Sequence, residues 1–233
     1  MVKKIVITGG TGRFAQQLKR IKNNYKIFYP SKKELDITNY KKIKSYLKRK
    51  KPNILIHLAG LSRPMKMHEK NPSKSIFLNI IGTSNLVRAC SEKKIKIVYF
   101  STSYVYPGRK GNYKESDSVL PWNNYGWSKL GGECAVKMYK NSLILRACMT
   151  EKPFVHKKAF YDVKLNFIFH EEMAKLLFKL IGLKGILNIG GETRSIYNFA
   201  KKYNPRIRKE KSKGEFPPKP YMSISKLKKI IIK

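Results

Sequence analysis

Tyr125 and Lys129 stand four residues apart in the stretch Tyr-Gly-Trp-Ser-Lys. Four residues make about one helical turn, so both side chains leave the same face of a helix. A free phenol has a pKa of about 10, too high for easy proton exchange at neutral pH. An ammonium held beside it favours phenolate, which would lower that value and make Tyr125 a general acid or base. Upstream, Val98 to Phe100 is an apolar run that reads as the end of a buried strand, with the hydroxyls of Ser101, Thr102 and Ser103 just beyond it. Ligands bind outside the carboxyl ends of strands in open parallel sheets. The expected catalytic set is therefore Thr102, Tyr125 and Lys129, with Thr102 holding the reacting oxygen. A tyrosine and a lysine at this spacing also occur on ordinary helices; a nucleotide motif elsewhere in the chain is what gives the pair weight.

That motif opens the sequence. Lys3 to Thr8 is a β-branched strand, followed by Gly9, Gly12 and Ala15 at the spacing G-x-x-G-x-x-A. Gly9 permits the tight turn, Gly12 lets the backbone approach a pyrophosphate, and Ala15 allows close helix–strand packing. A helix from Phe14 to Ile21 offers amide donors to the phosphates. Gly9, Gly12, Arg13 and Phe14 are the cofactor-binding candidates here. The second strand, Tyr25 to Tyr29, leads to Pro30, Ser31, Lys32 and Lys33, where an NAD-preferring protein carries an acid for the ribose 2′-hydroxyl. With Arg13 nearby, these cations suit a 2′-phosphate, so NADPH is the expected cofactor and NADH the alternative.

Further along, a helix is predicted over Tyr40 to Arg49, ended by Pro52, then a strand from Ile54 to Leu58. His57 falls inside that apolar strand and reads as structural. A helix follows over Ser75 to Cys90, then strands at Ile95 to Phe100 and Ser142 to Arg146. Strands alternating with helices predict an α/β chain with a parallel sheet.

Composition adds bounds. A chain of 233 residues with 42% hydrophobic residues can bury a sizeable core. No apolar run approaches the roughly 20 residues of a membrane span, and no signal peptide precedes the first strand, so a cytoplasmic protein without a membrane partner is expected. Three scattered cysteines show no metal-ligand spacing, and no metal is expected; they read as small apolar residues in a reducing compartment. The net charge of +37 would suit an anionic ligand and would steer a pyrophosphate inward. Without interleaved aromatics it reads as a lysine-rich solvated surface, and no specific nucleic-acid partner is expected.

The block Ser101-Thr-Ser-Tyr-Val-Tyr through Gly111-Asn-Tyr-Lys-Glu-Ser-Asp117, followed by Tyr125 to Glu133, resembles the extended short-chain dehydrogenase/reductase superfamily. Within it, the likeness is to the dTDP-4-dehydrorhamnose reductase family, and it spans nearly the whole chain. The resemblance implies that Asp36 and Ile37, in Leu-Asp-Ile-Thr, border an adenine pocket. It implies that Leu58, Ala59 and Gly60 run along the cofactor, and that Asn79, in N-x-x-G-T-x-N-L, supports the active-site lysine and belongs among the cofactor-binding residues. Tyr125 and Lys129 also touch the cofactor in such proteins. Arg63, Ser103, Tyr104 and Arg146 are candidates for the substrate. Two departures stand out: Ser103 replaces a family aspartate, and a longer substrate-binding excursion is missing near residues 150–165.

The expected fold is thus a Rossmann-type doubly wound parallel sheet with a small, shortened C-terminal substrate lobe. Residues 1–150 would form the NAD(P)-binding domain and 151–233 the lobe, which returns one strand to the sheet near 186–190. The implied function is NADPH-dependent reduction of the 4-keto group of a nucleotide-linked 6-deoxy sugar in deoxysugar biosynthesis; a homodimer is compatible with it. The alternatives are a nucleotide-sugar epimerase or dehydratase, and a non-catalytic regulatory subunit of the kind that serves a methionine adenosyltransferase. Dehydratases place Asp-Glu after the threonine, where this chain has Ser103-Tyr104, which disfavours elimination.

Overall fold

The computed structural model of the chain describes residues 2–154 and 156–232. Its frame alternates strand and helix: β1 (Lys4–Thr8), α1 (Arg13–Lys19), β2 (Lys26–Phe28), α2 (Tyr40–Lys50), β3 (Ile54–His57), α3 (Gly82–Glu92), β4 (Lys96–Thr102), α4 (Asn124–Lys137), β5 (Ser142–Ala147), α5 (His170–Leu180) and β6 (Gly185–Ile189). The six strands form one sheet in the order β6-β5-β4-β3-β1-β2, every neighbouring pair parallel. This is the doubly wound arrangement expected from the alternation.

The strands alternate sides within apolar runs because both faces of a parallel sheet are covered by helices. Ile5 and Ile7 of β1, with Val98 and Phe100 of β4, meet Leu18 of α1 and Leu177 of α5. Val6, Ile97 and Tyr99 point the other way, onto Leu47 of α2, Leu86 of α3 and Val136 of α4. The strand order reverses between β1 and β3. A crevice must open there at the carboxyl ends, since the loops leave in opposite directions.

Two boundaries differ from expectation in ways that matter for the site. β4 extends through Ser101 and Thr102, held by their register against Arg146 and Ala147 of β5, and a 3₁₀ turn at Ser103–Val105 follows. The Ser101 and Thr102 hydroxyls therefore sit on the last strand residues, and that of Ser103 just past them. The single helix predicted from Ser75 is a compound run: Pro72–Ser75, a π-helical stretch at Ile76–Ile81, then α3. Asn79 lies in the π-helical stretch, the kind of local widening that often marks a functional position.

Beyond the carboxyl ends a third core joins Val105, Tyr106 and Tyr113 to Phe154, Phe169, Phe199 and Met222. Short strand pairs, Lys158–Phe160 with Arg208–Glu210 and Lys164–Leu165 with Arg194–Ser195, brace it. Cys90 and Cys148 are buried as expected, but Cys134 is exposed, because it lies on the outward face of α4. Among the described residues no helix is long and apolar enough to cross a membrane.

Candidate active site

A cleft of about 550 Å³ opens at the switch point between β1 and β3. Gly9, Gly12, Arg13 and Phe14 line it from the β1–α1 loop; Leu58, Ala59, Gly60 and Arg63 line it from the loop after β3. Asp36 and Ile37 close one end, and Thr102, Ser103, Tyr104, Tyr125 and Lys129 meet at the other. Gly9 has φ of +70°, and a Cβ there would lie 2.8 Å from the Ala59 amide nitrogen. Only glycine lets the two loops close to this distance.

A chain of hydrogen bonds fixes the floor. Leu58 and Ala59 N–H both donate to Thr8 Oγ1 at 3.2 Å. Thr8 Oγ1 lies 2.9 Å from His57 Nδ1, and His57 Nε2 lies 3.0 Å from Thr83 Oγ1. Thr83 Oγ1 in turn donates to the Asn79 carbonyl at 2.6 Å. Since the Thr83 proton is committed to that carbonyl, His57 Nε2 must donate and Nδ1 must accept. The histidine is neutral: burial, with Lys129 nearby, pushes it down to about 3. It is structural, as its place in the strand implied.

Asn79 does not line the cleft, which corrects its expected place among the cofactor contacts. Its amide is fully committed elsewhere. Oδ1 accepts from Leu61 N–H at 2.7 Å, and Nδ2 donates to the Leu61 carbonyl and to Ser128 Oγ, both at 2.9 Å. Ser128 then donates to the Tyr125 carbonyl at 2.8 Å. The π-helical turn thus holds the first turn of α4 against the loop after β3.

Asn123 caps α4, its side chain accepting from Gly126 N–H at 2.8 Å. Its start brings Tyr125 beside Thr102, within a shell made by the edges of Tyr104 and His68, 5.7 and 5.0 Å away between ring centres. Lys129 sits one turn further in, with its ammonium 4.2 Å from the centre of the Tyr99 ring. Among the described residues that ammonium has no carboxylate partner within salt-bridge distance.

The electrostatics reverse one expectation. Lys129 was to supply the charge that draws Tyr125 toward phenolate. Instead burial raises the Tyr125 phenol above its ordinary value, opposed by the Thr102 hydroxyl and then by the Arg63 charge. Burial also pushes Lys129 down to about 7, against a partial pull upward from Glu133. A lysine half-neutral at that pH is a weak source of positive field. The Arg63 guanidinium adds a smaller downward pull on the phenol than the Thr102 hydroxyl does.

Arg146 also departs from expectation. Its Nε donates to both Glu133 oxygens at 3.1 and 3.2 Å and Nη1 donates to the Tyr106 hydroxyl at 2.7 Å, all below the surface. It is a core ion pair and not a substrate contact. At the far end of the cleft, burial would raise Asp36, but the Thr38 hydroxyl and N–H, with Lys32 close by, hold it below the usual carboxylate value.

Compared with known proteins, residues 3–157 match the family model of the RmlD substrate binding domain. The chain belongs to that family. A curated relative, the dTDP-4-dehydrorhamnose reductase of Aggregatibacter actinomycetemcomitans, is 32% identical over 152 residues, 63% of this chain and 51% of the relative. The methionine adenosyltransferase 2 subunit beta of Xenopus laevis is 29% identical over 143 residues, 58% of this chain and 42% of the relative. The matched stretch spans about half the length of these two relatives. Among solved structures, dTDP-4-dehydrorhamnose reductase from Bacillus anthracis in complex with NADP superposes with a TM-score of 0.88 at 24% identity, covering 98% of this chain and 91% of that one. That agreement shows a shared Rossmann-type fold.

Most of the residues singled out in the sequence therefore meet in one RmlD-family cleft; Asn79 and Arg146 stand behind it. Sequence reasoning missed Met149, Glu151, Phe167 and His170, which line the cleft from the chain after β5. Glu151 was the most legible of them, an acid in a segment otherwise rich in lysine. The others follow no motif, and only the pairing of Met149–Thr150 with Ile168–Phe169 folds them over the site.

Proposed function

We propose that this chain is an NADPH-dependent reductase of the 4-keto group of a nucleotide-linked 6-deoxy sugar. The observation that carries the reading is one cleft lined by the glycine loop, Lys32, Thr102, Tyr125 and Lys129. The cradle fits a dinucleotide: Gly12 caps α1 without a side-chain bond, and the buried Ser101 Oγ at the cleft has no partner among the described residues. Gly9, Gly12, Arg13 and Phe14 would hold the pyrophosphate, Lys32 the 2′-phosphate, and Asp36 and Ile37 the adenosine end. Leu58, Ala59 and Gly60 form the floor.

NADPH, when bound, supplies the hydride for the carbonyl carbon. Thr102 orients the carbonyl oxygen by hydrogen bonding. Tyr125 gives its proton to that oxygen, a role suited to a phenol that burial keeps protonated. Lys129 would hold the ribose hydroxyls, since among the described residues its ammonium has no acidic partner. Ser103 and Tyr104 would contact the sugar.

Relatives named dTDP-4-keto-6-deoxy-D-glucose reductase and GDP-6-deoxy-D-talose 4-dehydrogenase support chemistry at position 4 of a nucleotide sugar. The division into a cofactor domain at 1–150 and a reduced lobe at 151–233 belongs to the same reading. So do a cytoplasmic location and a homodimer, the latter supported by Ile76, Phe77 and Trp127 exposed on adjoining helices.

The test is nicotinamide absorbance with NADPH or NADH and a freshly generated dTDP-4-keto-6-deoxy sugar. Turnover by the wild type, reduced by about 10²–10⁴-fold in Tyr125→Phe, is the expected result. The relative that is a methionine adenosyltransferase subunit motivates a second reading, a binding subunit without turnover. NADPH binding with no oxidation by any 4-keto sugar would favour it.

A further inference from the structure

Glu151 has no role in the chemistry above, yet it lines the cleft. Its Oε1 lies 3.0 Å from Arg13 Nη1 and 3.1 Å from Arg63 Nη1. The three residues come from three places: Arg13 opens α1, Arg63 follows β3 and Glu151 follows β5. One carboxylate therefore joins the glycine-loop wall of the cleft to the wall that follows β3. Its side chain is 20% exposed, against 57% for Arg13 and 40% for Arg63, so the acid is inside and the cations flank it.

The placement runs against the chain's composition and the cleft's chemistry. The sequence has only 14 acids against 51 Lys and Arg residues. The cleft lining carries two of those acids, Asp36 and Glu151. Asp36 is committed to Thr38 through N–H and hydroxyl bonds of 2.9 and 2.7 Å. Of the two, Glu151 is the one paired with Arg13 and Arg63. Two guanidinium forks converging on one point can take the oxygens of a phosphate as readily as a carboxylate.

We propose that Arg13 and Arg63 form a phosphate site that Glu151 closes in the free protein. A phosphate-bearing ligand displaces the carboxylate and takes over both guanidinium groups. The inference rests on the nucleotide-ligand reading of the cleft. Two ligands carry the required chemistry, the dinucleotide cofactor and the nucleoside diphosphate of the substrate. Displacement makes part of each ligand's affinity go into opening the site, so removing the charge of Glu151 tightens binding.

Calorimetric titration of the wild type and Glu151→Gln with NADPH, and separately with dTDP, tests this. Both ion pairs are partly exposed, so the expected gain is about five-fold. The ligand that gains identifies the source of the phosphate. The same substitution is placed in a background of Arg13→Gln and Arg63→Gln, where the gain should vanish. A gain that persists there is a general charge effect and overturns the proposal. Unchanged or weaker binding of both ligands by Glu151→Gln, with its melting temperature near that of the wild type, also overturns it. If neither ligand binds the wild type, the nucleotide reading itself fails, an outcome distinct from a failure of the Glu151 switch.

Discussion

Asn79 Nδ2 donates to Ser128 Oγ at 2.9 Å, tying the π-helical turn to the helix that carries Tyr125 and Lys129. The same amide holds both backbone groups of Leu61, so the loop after β3 and the first turn of α4 are set by one side chain. Asn79→Ala removes all three bonds and leaves buried polar groups unpaired. It should cost about 2–4 kcal/mol in urea unfolding and lower kcat by about ten-fold. Ser128→Ala, which frees only one link, should give a smaller fraction of both losses.

The depressed Lys129 predicts a pH signature. Its folded value of about 7 lies below the 10.5 of an ordinary lysine. Between those limits the unfolded chain binds more protons than the folded one, so stability contributed by this group rises with pH. Below pH 7 the lysine is charged in both states and the folded protein bears the full burial cost. Lys129→Met should therefore melt above the wild type near pH 6.5, and the difference should shrink as pH approaches 10. A difference independent of pH across that window would contradict the shift.

His57 acts at the acid end by the same rule. Its folded value of about 3 lies below the ordinary 6.5, so stability is lost as pH falls from 6.5 toward 3. His57→Gln should flatten that part of the stability curve, measured by thermal melting from pH 7 to 4.

The pair Arg146 and Glu133 is buried, at 5% and 3% side-chain exposure. Removing one partner strands the other, so Arg146→Met should cost about 3–5 kcal/mol. The double variant with Glu133→Leu should recover much of that loss. Because neither residue lines the cleft, KM for the nucleotide sugar should stay near the wild-type value in the double variant.

Lys32 lines the cleft beside Asp36, where a 2′-phosphate would lie. Lys32→Ala should raise KM for NADPH by about ten-fold and leave that for NADH unchanged, since one charged hydrogen bond is worth about 1.5–3 kcal/mol. Equal effects on the two cofactors would move the selectivity to Arg13.

Local pattern made much of this protein legible. The glycine spacing after a β-branched strand located a loop that lines the cleft, because close approach of the two loops needs a residue without a Cβ there. Tyr125 and Lys129 were readable because four residues place two side chains on one helical face, and His57 because an apolar strand buries what it carries. What the sequence left open depended on distance along the chain. Arg146 looks like a ligand residue until Glu133, thirteen positions earlier, takes its guanidinium in the core. The pull of Arg63 on the Tyr125 phenol, and the burial that raises that phenol and lowers Lys129, could not be read from the spacing of the pair. Glu151 meets Arg63 across 88 residues, a contact that only the parallel sheet creates by bringing the loops after β3 and β5 to one edge. Residue types and short spacings determined which chemistry was available. Burial and long-range packing decided which groups face the cleft and in what charge state.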